Sequence, residues 1–185
     1  MGRIVYGMMM SLDGYIAGPA GTIDLPAPEP ELHRYFNDLM KRTAVSLYGR
    51  RMYETMKVWQ DWDSRPDVPE VEADFARAWR SVPKVVVSTT LAEVGPNARL
   101  VRSDVEVAVR ELKAGTQGEI AVSGAGLAGS LSSLGLIDEY QLFFQPVVLG
   151  GGTAFFQPGT PLRLKPLGWE ELPQGVRLLR YGRQD

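Results

Sequence analysis

Between Glu119 and Gly152 the chain reads EIAVS, then GAGLAGSLSSLGL, then IDEYQLFFQPVVLGGG. The apolar run Ile120–Val122 meets Gly124, Gly126 and Gly129, which fall in G-x-G-x-x-G spacing. Leu127, Leu131 and Leu134 follow at i, i+4 and i+7, one face of a helix. A second apolar run, Tyr140–Leu149, ends in three consecutive glycines. The pattern predicts strand, tight turn, helix, strand, and a unit of that kind belongs in a parallel sheet covered by helices. Glycines in such a turn let a ligand come close to the backbone. The first N–H groups of the helix have no internal partner, so they can receive an anion such as pyrophosphate. The same glycines would also serve close helix–strand packing, and the spacing alone does not choose between the two.

A conventional dinucleotide-binding domain places this fingerprint at its first strand. Here only residues 130–185 follow the last fingerprint glycine, too few for a second mononucleotide half. A nucleotide bound at this turn therefore implies a different fold. The length of 185 residues predicts one domain spanning 1–185, large enough to bury a core without staples. A net charge of −2 gives no general attraction to nucleic acid or anionic lipid. The absence of cysteine excludes disulfides, thiol catalysis and cysteine metal sites, and no metal centre is expected. No apolar stretch is long enough to span a bilayer, and Met1-Gly2-Arg3 leads directly into a strand pattern. The expectation is a cytoplasmic, soluble protein.

Along the chain, Arg3–Met10 is a near-continuous apolar run, broken by Ser11-Leu12-Asp13-Gly14 and resumed at Tyr15-Ile16-Ala17. Leu32, Phe36, Leu39, Met40 and Thr43 space a helix, with Pro30 in its first turn. Val45–Tyr48 is a short strand, and Gly49-Arg50-Arg51 opens another helix. Trp59–Pro69 reads as a loop or lid, and Val71, Phe75 and Trp79 space a further helix ended by Pro83. Lys84–Ser88 is a buried strand. Asp104 is a plausible N-cap for a helix reaching Gly115, and Leu162–Lys165 with Val176–Tyr181 suggests an antiparallel closing pair. The order predicts an α/β fold. It is a three-layer αβα arrangement around a mainly parallel mixed sheet with antiparallel C-terminal strands.

SLDGYIAG (Ser11–Gly18), YGRRMYE (Tyr48–Glu54), VSGAGLAGSL and PVVLGGG together resemble the dihydrofolate reductase-like superfamily. The closest resemblance is to the reductase domain of the bifunctional riboflavin-biosynthesis deaminase–reductase and its stand-alone relatives. It runs in matching order from about Arg3 to Phe156, and the deaminase half, whose zinc signature needs cysteines, is missing. The resemblance implies NADPH bound across the carboxyl ends of the strands. Gly49, Arg50 and Arg51 would hold the adenosine-side phosphates. Ser88, Thr89 and Thr90 would lie along the adenine ribose, and Gly124, Ala125, Gly126 and Leu127 would hold the pyrophosphate. Backbone groups of Ile16 and Ala17 would meet the nicotinamide carboxamide. Many relatives carry an arginine for the 2′-phosphate where Thr89 and Thr90 stand here, so preference for NADPH rests on Arg50 and Arg51. A homodimer is implied as well.

Asp13 is the candidate catalytic and substrate-contacting group, although Asp-Gly is also a common turn pair. Trp59 and Trp62 could stack on a planar substrate or plug the core beneath a loop. Gln145, set among apolar residues, needs a hydrogen-bond partner if buried and could face the substrate. His33, the only histidine, reads as structural or solvated, and Met8, Met9 and Met10 as core. The implied activity is NADPH-dependent hydride transfer to a small heterocyclic, carbonyl or imine substrate. The alternatives are a nucleotide-binding module of the same fold without efficient chemistry, or a dihydrofolate reductase proper. A substrate bearing a sugar phosphate would want further basic residues, which the sequence does not provide in an obvious place.

Overall fold

Strand β1 (Arg3–Met10) runs through the middle of an eight-stranded sheet. The computed structural model describes residues 1–159 and 161–184. Beside β1 lie β6 (Glu119–Ser123) and β7 (Glu139–Phe144), both parallel to it. Beyond β6 come β3 (Thr43–Gly49), β4 (Lys84–Val87) and β5 (Ala98–Val101), again all parallel. Beyond β7 the sheet turns antiparallel through β10 (Arg177–Arg183) and edge strand β9 (Leu164–Glu171). This is the predicted three-layer arrangement.

The chain leaves β1 toward β3, β4 and β5, then returns to fill the places of β6 and β7. Right-handed crossovers therefore send the helices of the two journeys to opposite faces. On one face Leu32 of α1 (Pro30–Arg42) packs with Met9, Phe143 and Leu178, and α3 (Glu70–Ser81) lies beside α1. On the other, Val109 of α4 (Val105–Gly115) and Leu131 of α5 (Ala125–Ser133) join Ile4, Tyr6, Leu47 and Ile120. Alternate residues of β1 serve both cores, so its sequence is a continuous apolar run rather than an alternating one. Met10 is buried and Met8 and Met9 pack against the two cores.

Several local expectations are corrected. Tyr15–Ala17 does not continue β1; it forms β2, which pairs with Thr153–Ala154 (β8) in a separate two-stranded sheet. The apolar run from Tyr140 stops being strand at Phe144, because Pro146 has no N–H to give a ladder. Strand β5 was not expected, since four residues with an exposed Arg99 carry too little pattern to read. Asp104 precedes α4 but has φ 52° and makes no side-chain cap, because capping needs an extended backbone at that position. The 57–65 segment is two short 3-10 turns, fixed by Arg80, whose guanidinium donates to both oxygens of Asp63 at 2.6 Å.

The amino-terminal rim of the sheet carries its own charges. Arg3 donates to Glu119 at 3.1 Å and to the buried Glu139 at 3.0 Å. Lys84, 2% exposed, donates to the carbonyls of Trp79 at 2.6 Å and Val82 at 2.7 Å and so closes the end of α3. Burial draws its ammonium down from 10.5 to about 8. With the folded pKa below the unfolded one, unfolding takes up a proton between those values, and stability rises with pH across that window. Chemical denaturation at stepped pH should therefore show the wild type gaining stability between pH about 8 and 10.5 relative to Lys84→Met. Parallel curves would mean that the carbonyl bonds fully offset the burial.

Candidate functional site

Because β1, β3, β4, β6 and β7 run in one direction, Ser11, Gly49, Ser88, Gly124 and Gln145 all lie at one rim. Tyr48 sits opposite Ser123, which brings the two glycine turns of β3 and β6 side by side. Gly49 caps α2 (Arg50–Met56) and Gly124 caps α5, in both cases without a side-chain hydrogen bond to the helix. Gly124 has φ 107°, and a Cβ there would lie 3.4 Å from Cβ of Met52 and 3.9 Å from the Gly49 nitrogen. A Cβ on Gly49 would meet Leu127 at 3.5 Å. The first backbone bond of α5 runs from Ala128 N–H to the Gly124 carbonyl at 3.0 Å. The N–H groups of Ala125, Gly126 and Leu127 thus have no partner within the helix. Open space lies over Gly126.

Arg50 and Arg51 open α2 and both are exposed, Arg50 lying 3.7 Å from Glu54. Bare N–H donors flanked by two guanidinium groups fit an anionic dinucleotide. Ser88, at the end of β4, is buried, and its hydroxyl accepts the N–H groups of Thr90 at 3.2 Å and Leu91 at 3.1 Å. It shapes the turn, while Thr89 and Thr90 stand exposed. Ile16 is buried with no partner residue in β8, between Tyr15 and Ala17, which are both paired.

The SLDG segment is a closed knot. Ser11 N–H donates to the Tyr15 carbonyl at 2.8 Å, and the Ser11 hydroxyl accepts Tyr15 N–H at 3.0 Å. Asp13 then reaches across to the glycine-rich loop, accepting Leu149 N–H at 3.1 Å and Gly150 N–H at 2.7 Å. Leu12 N–H adds a bond to the Val147 carbonyl at 2.8 Å, and Phe155 N–H one to Gly14 at 2.9 Å. The Ser11 hydroxyl, followed by the two loop amides, holds the Asp13 carboxyl below the usual carboxylate range. Asp13 is therefore an ionised clamp, and a proton-donor role would require it to gain a proton and release the loop. Its exposure leaves it open to a bound compound.

Gln145 is 1% exposed, and its amide donates to the Pro26 carbonyl and to Sδ of Met9, both at 3.1 Å. It ties the 18–29 loop to the sheet from below. Gln174, in the turn before β10, holds the same loop from outside, accepting Glu29 N–H at 2.9 Å and donating to Ala27 at 3.0 Å. Sequence gave no sign of Gln174, because an exposed turn glutamine has no distinguishing pattern. Trp59 packs on Phe75 at 4.7 Å, Trp62 at 4.9 Å and His33 at 6.0 Å, in the helical layer formed by α1 and α3. Trp59 is half-buried, so these ring contacts account for one part of its surface and leave another part accessible. His33 bonds Asn37 at 2.9 Å, as a structural residue would. Among the described residues, no group of His, Asp or Glu is disposed to hold a metal ion.

Residues 3–178 match the family described as RibD C-terminal domain. The chain belongs to that family. YyaP, an uncharacterized protein of Bacillus subtilis (strain 168), is 30% identical over 155 residues, covering 83% of this chain and 80% of YyaP. A protein from Shewanella sp. PV-4, provisionally assigned to riboflavin biosynthesis, superposes with a TM-score of 0.75 at 25% identity, each chain covered 100%. Dihydrofolate reductase from Enterococcus faecalis in complex with NADP(H) and RAB-propyl shares the fold. Its TM-score is 0.62 at 17% identity, over 99% of this chain and 97% of that one. The Thermotoga maritima diaminohydroxyphosphoribosylaminopyrimidine deaminase/5-amino-6-(5-phosphoribosylamino)uracil reductase does so too. There the TM-score is 0.68 at 15% identity, over 99% of this chain and 57% of that one. The dihydrofolate reductase-like fold and the kinship with riboflavin-type reductases are thereby established.

If Asp13 clamps the loop in this RibD-type domain, Asp13→Asn should speed hydrogen exchange at the Leu149 and Gly150 amides while leaving the strands protected. Unchanged exchange at those two amides would show that the clamp is not populated in solution.

Proposed function

We propose that the protein is an NADPH-dependent reductase that delivers a hydride to a small heterocyclic, carbonyl or imine compound. The observation that carries this reading is the abutting pair of uncapped glycine turns at Gly49 and Gly124, with Arg50 and Arg51 beside them. Membership of the RibD C-terminal domain family supports it, as does the NADP(H) bound by the dihydrofolate reductase of the same fold. In this reading the N–H groups of Ala125, Gly126 and Leu127 hold the pyrophosphate, and Arg50 and Arg51 meet the phosphates of the adenosine half. Thr89 and Thr90 flank the ribose. The backbone at Ile16 and Ala17 faces the nicotinamide.

When bound, the cofactor supplies a hydride and its electron pair to the electrophilic carbon. The chain's part is positional. Asp13 keeps the 147–152 loop folded against the end of β1, and Gln145 holds the 18–29 loop over the end of β7. With Asp13 ionised, the proton that completes the reduction comes from solvent, and Asp13 can orient a water or a polar group of the substrate. Its commitment to the loop is also what favours the second reading, a cofactor-binding domain without efficient turnover. Nicotinamide fluorescence on binding, followed by cofactor oxidation in a substrate screen, separates the two: binding without turnover of any compound supports the second.

Replacing Arg50 and Arg51 together by alanine should weaken NADPH binding by roughly tenfold or more, the scale of losing charge-assisted phosphate contacts. NADH binding should change much less. Equal weakening of both, read by the same fluorescence titration, would remove the 2′-phosphate from these arginines.

A further inference from the structure

The two halves of the rim differ in charge. On the side of β3, β4 and β6 stand Arg50 and Arg51 with the bare amides of α5. On the side of β1 and β7, the loops are built from residues 11–29 and 145–154. The stretches that contain them, 4–33 and 114–162, hold no lysine or arginine at all. The charged side chains those loops do carry are the carboxylates Asp13, Asp24 and Glu29. Leu12, Ile23 and Val148 project from them as exposed apolar side chains.

This half does contain one receptor for an anion. The consecutive N–H groups of Leu149 and Gly150, the latter with φ 73°, each donate to one oxygen of the same carboxylate, and successive backbone amides turned to one side are the kind of concavity that receives an anion. It is filled by the chain's own Asp13 carboxylate, which the Ser11 hydroxyl keeps ionised. An incoming phosphate would have to displace that carboxylate and remain next to it, with no cation in either loop to compensate. The nearest arginine on the strand beyond β7, Arg177, is paired with Glu171 at 3.2 Å and lies over the ring of Trp169.

We propose that the compound accepted beside β1 and β7 carries no phosphate: it is an uncharged carbonyl or imine compound with an apolar flank that lies against Leu12, Ile23 and Val148. The proposal rests on the reductase reading and narrows it. It also separates this protein from the Thermotoga maritima reductase, whose name gives a phosphoribosylamino substrate. Anions are accepted on the cofactor half alone. Asp13 is the specificity device, since it occupies the amides that would otherwise receive a phosphate and places a negative charge at the mouth.

The test is an amide NMR titration of the isotope-labelled full chain, in two arms. NADP+ should shift the amides of residues 49–52 and 124–127; their silence would overturn the cofactor reading and leave the second arm intact. Ribose 5-phosphate, added to millimolar concentration with and without NADP+, should leave the amides of residues 11–26 and 145–154 unmoved. Saturable shifts there in the wild type would overturn the proposal. The double variant Leu12→Arg/Val148→Arg should gain saturable ribose 5-phosphate binding that shifts those same amides, at least about tenfold tighter than any wild-type response. A folded double variant with no gain would also overturn it, because these side chains would then not line the substrate's place.

Discussion

Parallel pairing of neighbouring strands is the constraint on which the remaining structure depends. From β5 across to β7 every strand points the same way, so each must be reached by a crossover rather than a hairpin. Every strand-to-helix turn is thereby delivered to one rim, whatever its residues. Right-handed crossover then fixes which helices cover which face. The candidate site is where that rim gathers glycine turns from β3 and β6, two elements far apart in sequence and adjacent in space. Antiparallel β9 and β10 close the far side without adding to it.

A second level of order comes from hydrogen bonds between loops. The segment after β1 and the segment after β7 are joined by Asp13, by Leu12 to Val147, by Phe155 to Gly14 and by the pairing of β2 with β8. Gly152 belongs to the same seam: its φ is 129°, and a Cβ there would overlap the Ala17 carbonyl, so only glycine allows the two chains to lie so close. The outcome is that the two loops form one hydrogen-bonded unit at that half of the rim. The other half carries the glycine turns of β3 and β6, the Ser88 turn and the exposed Arg50 and Arg51, a division that would suit the proposed charged cofactor on one side and a neutral compound on the other.

Much of this was legible in the residues. The apolar run of β1, the helical spacing of Leu32, Phe36 and Leu39, and the strand–turn–helix around Gly124 carry strong local periodicity, and each formed as expected. Where structure and sequence pattern part, the pattern is weak or shared by more than one conformation. Strand β5 exists because β4 offers it a hydrogen-bonding edge, and Ala98–Val101 alone has nothing to announce that. Asp104 has the composition of an N-cap but the wrong backbone angle. The contacts of Trp59 with Phe75 and His33 join residues from separate elements, which local spacing does not announce.

By itself the sequence determined the alternation of strands and helices, and with it a parallel sheet whose glycine-bearing turns share one rim, because period and turn chemistry act between residues close in the chain. Only the tertiary structure decided the employment of the polar groups. Asp13 bonds to amides at 149 and 150, Gln145 to Pro26, and Gln174 to Ala27 and Glu29. Partners so distant along the chain leave no periodic trace, and a carboxylate looks the same in sequence whether it awaits a substrate or already grips a loop.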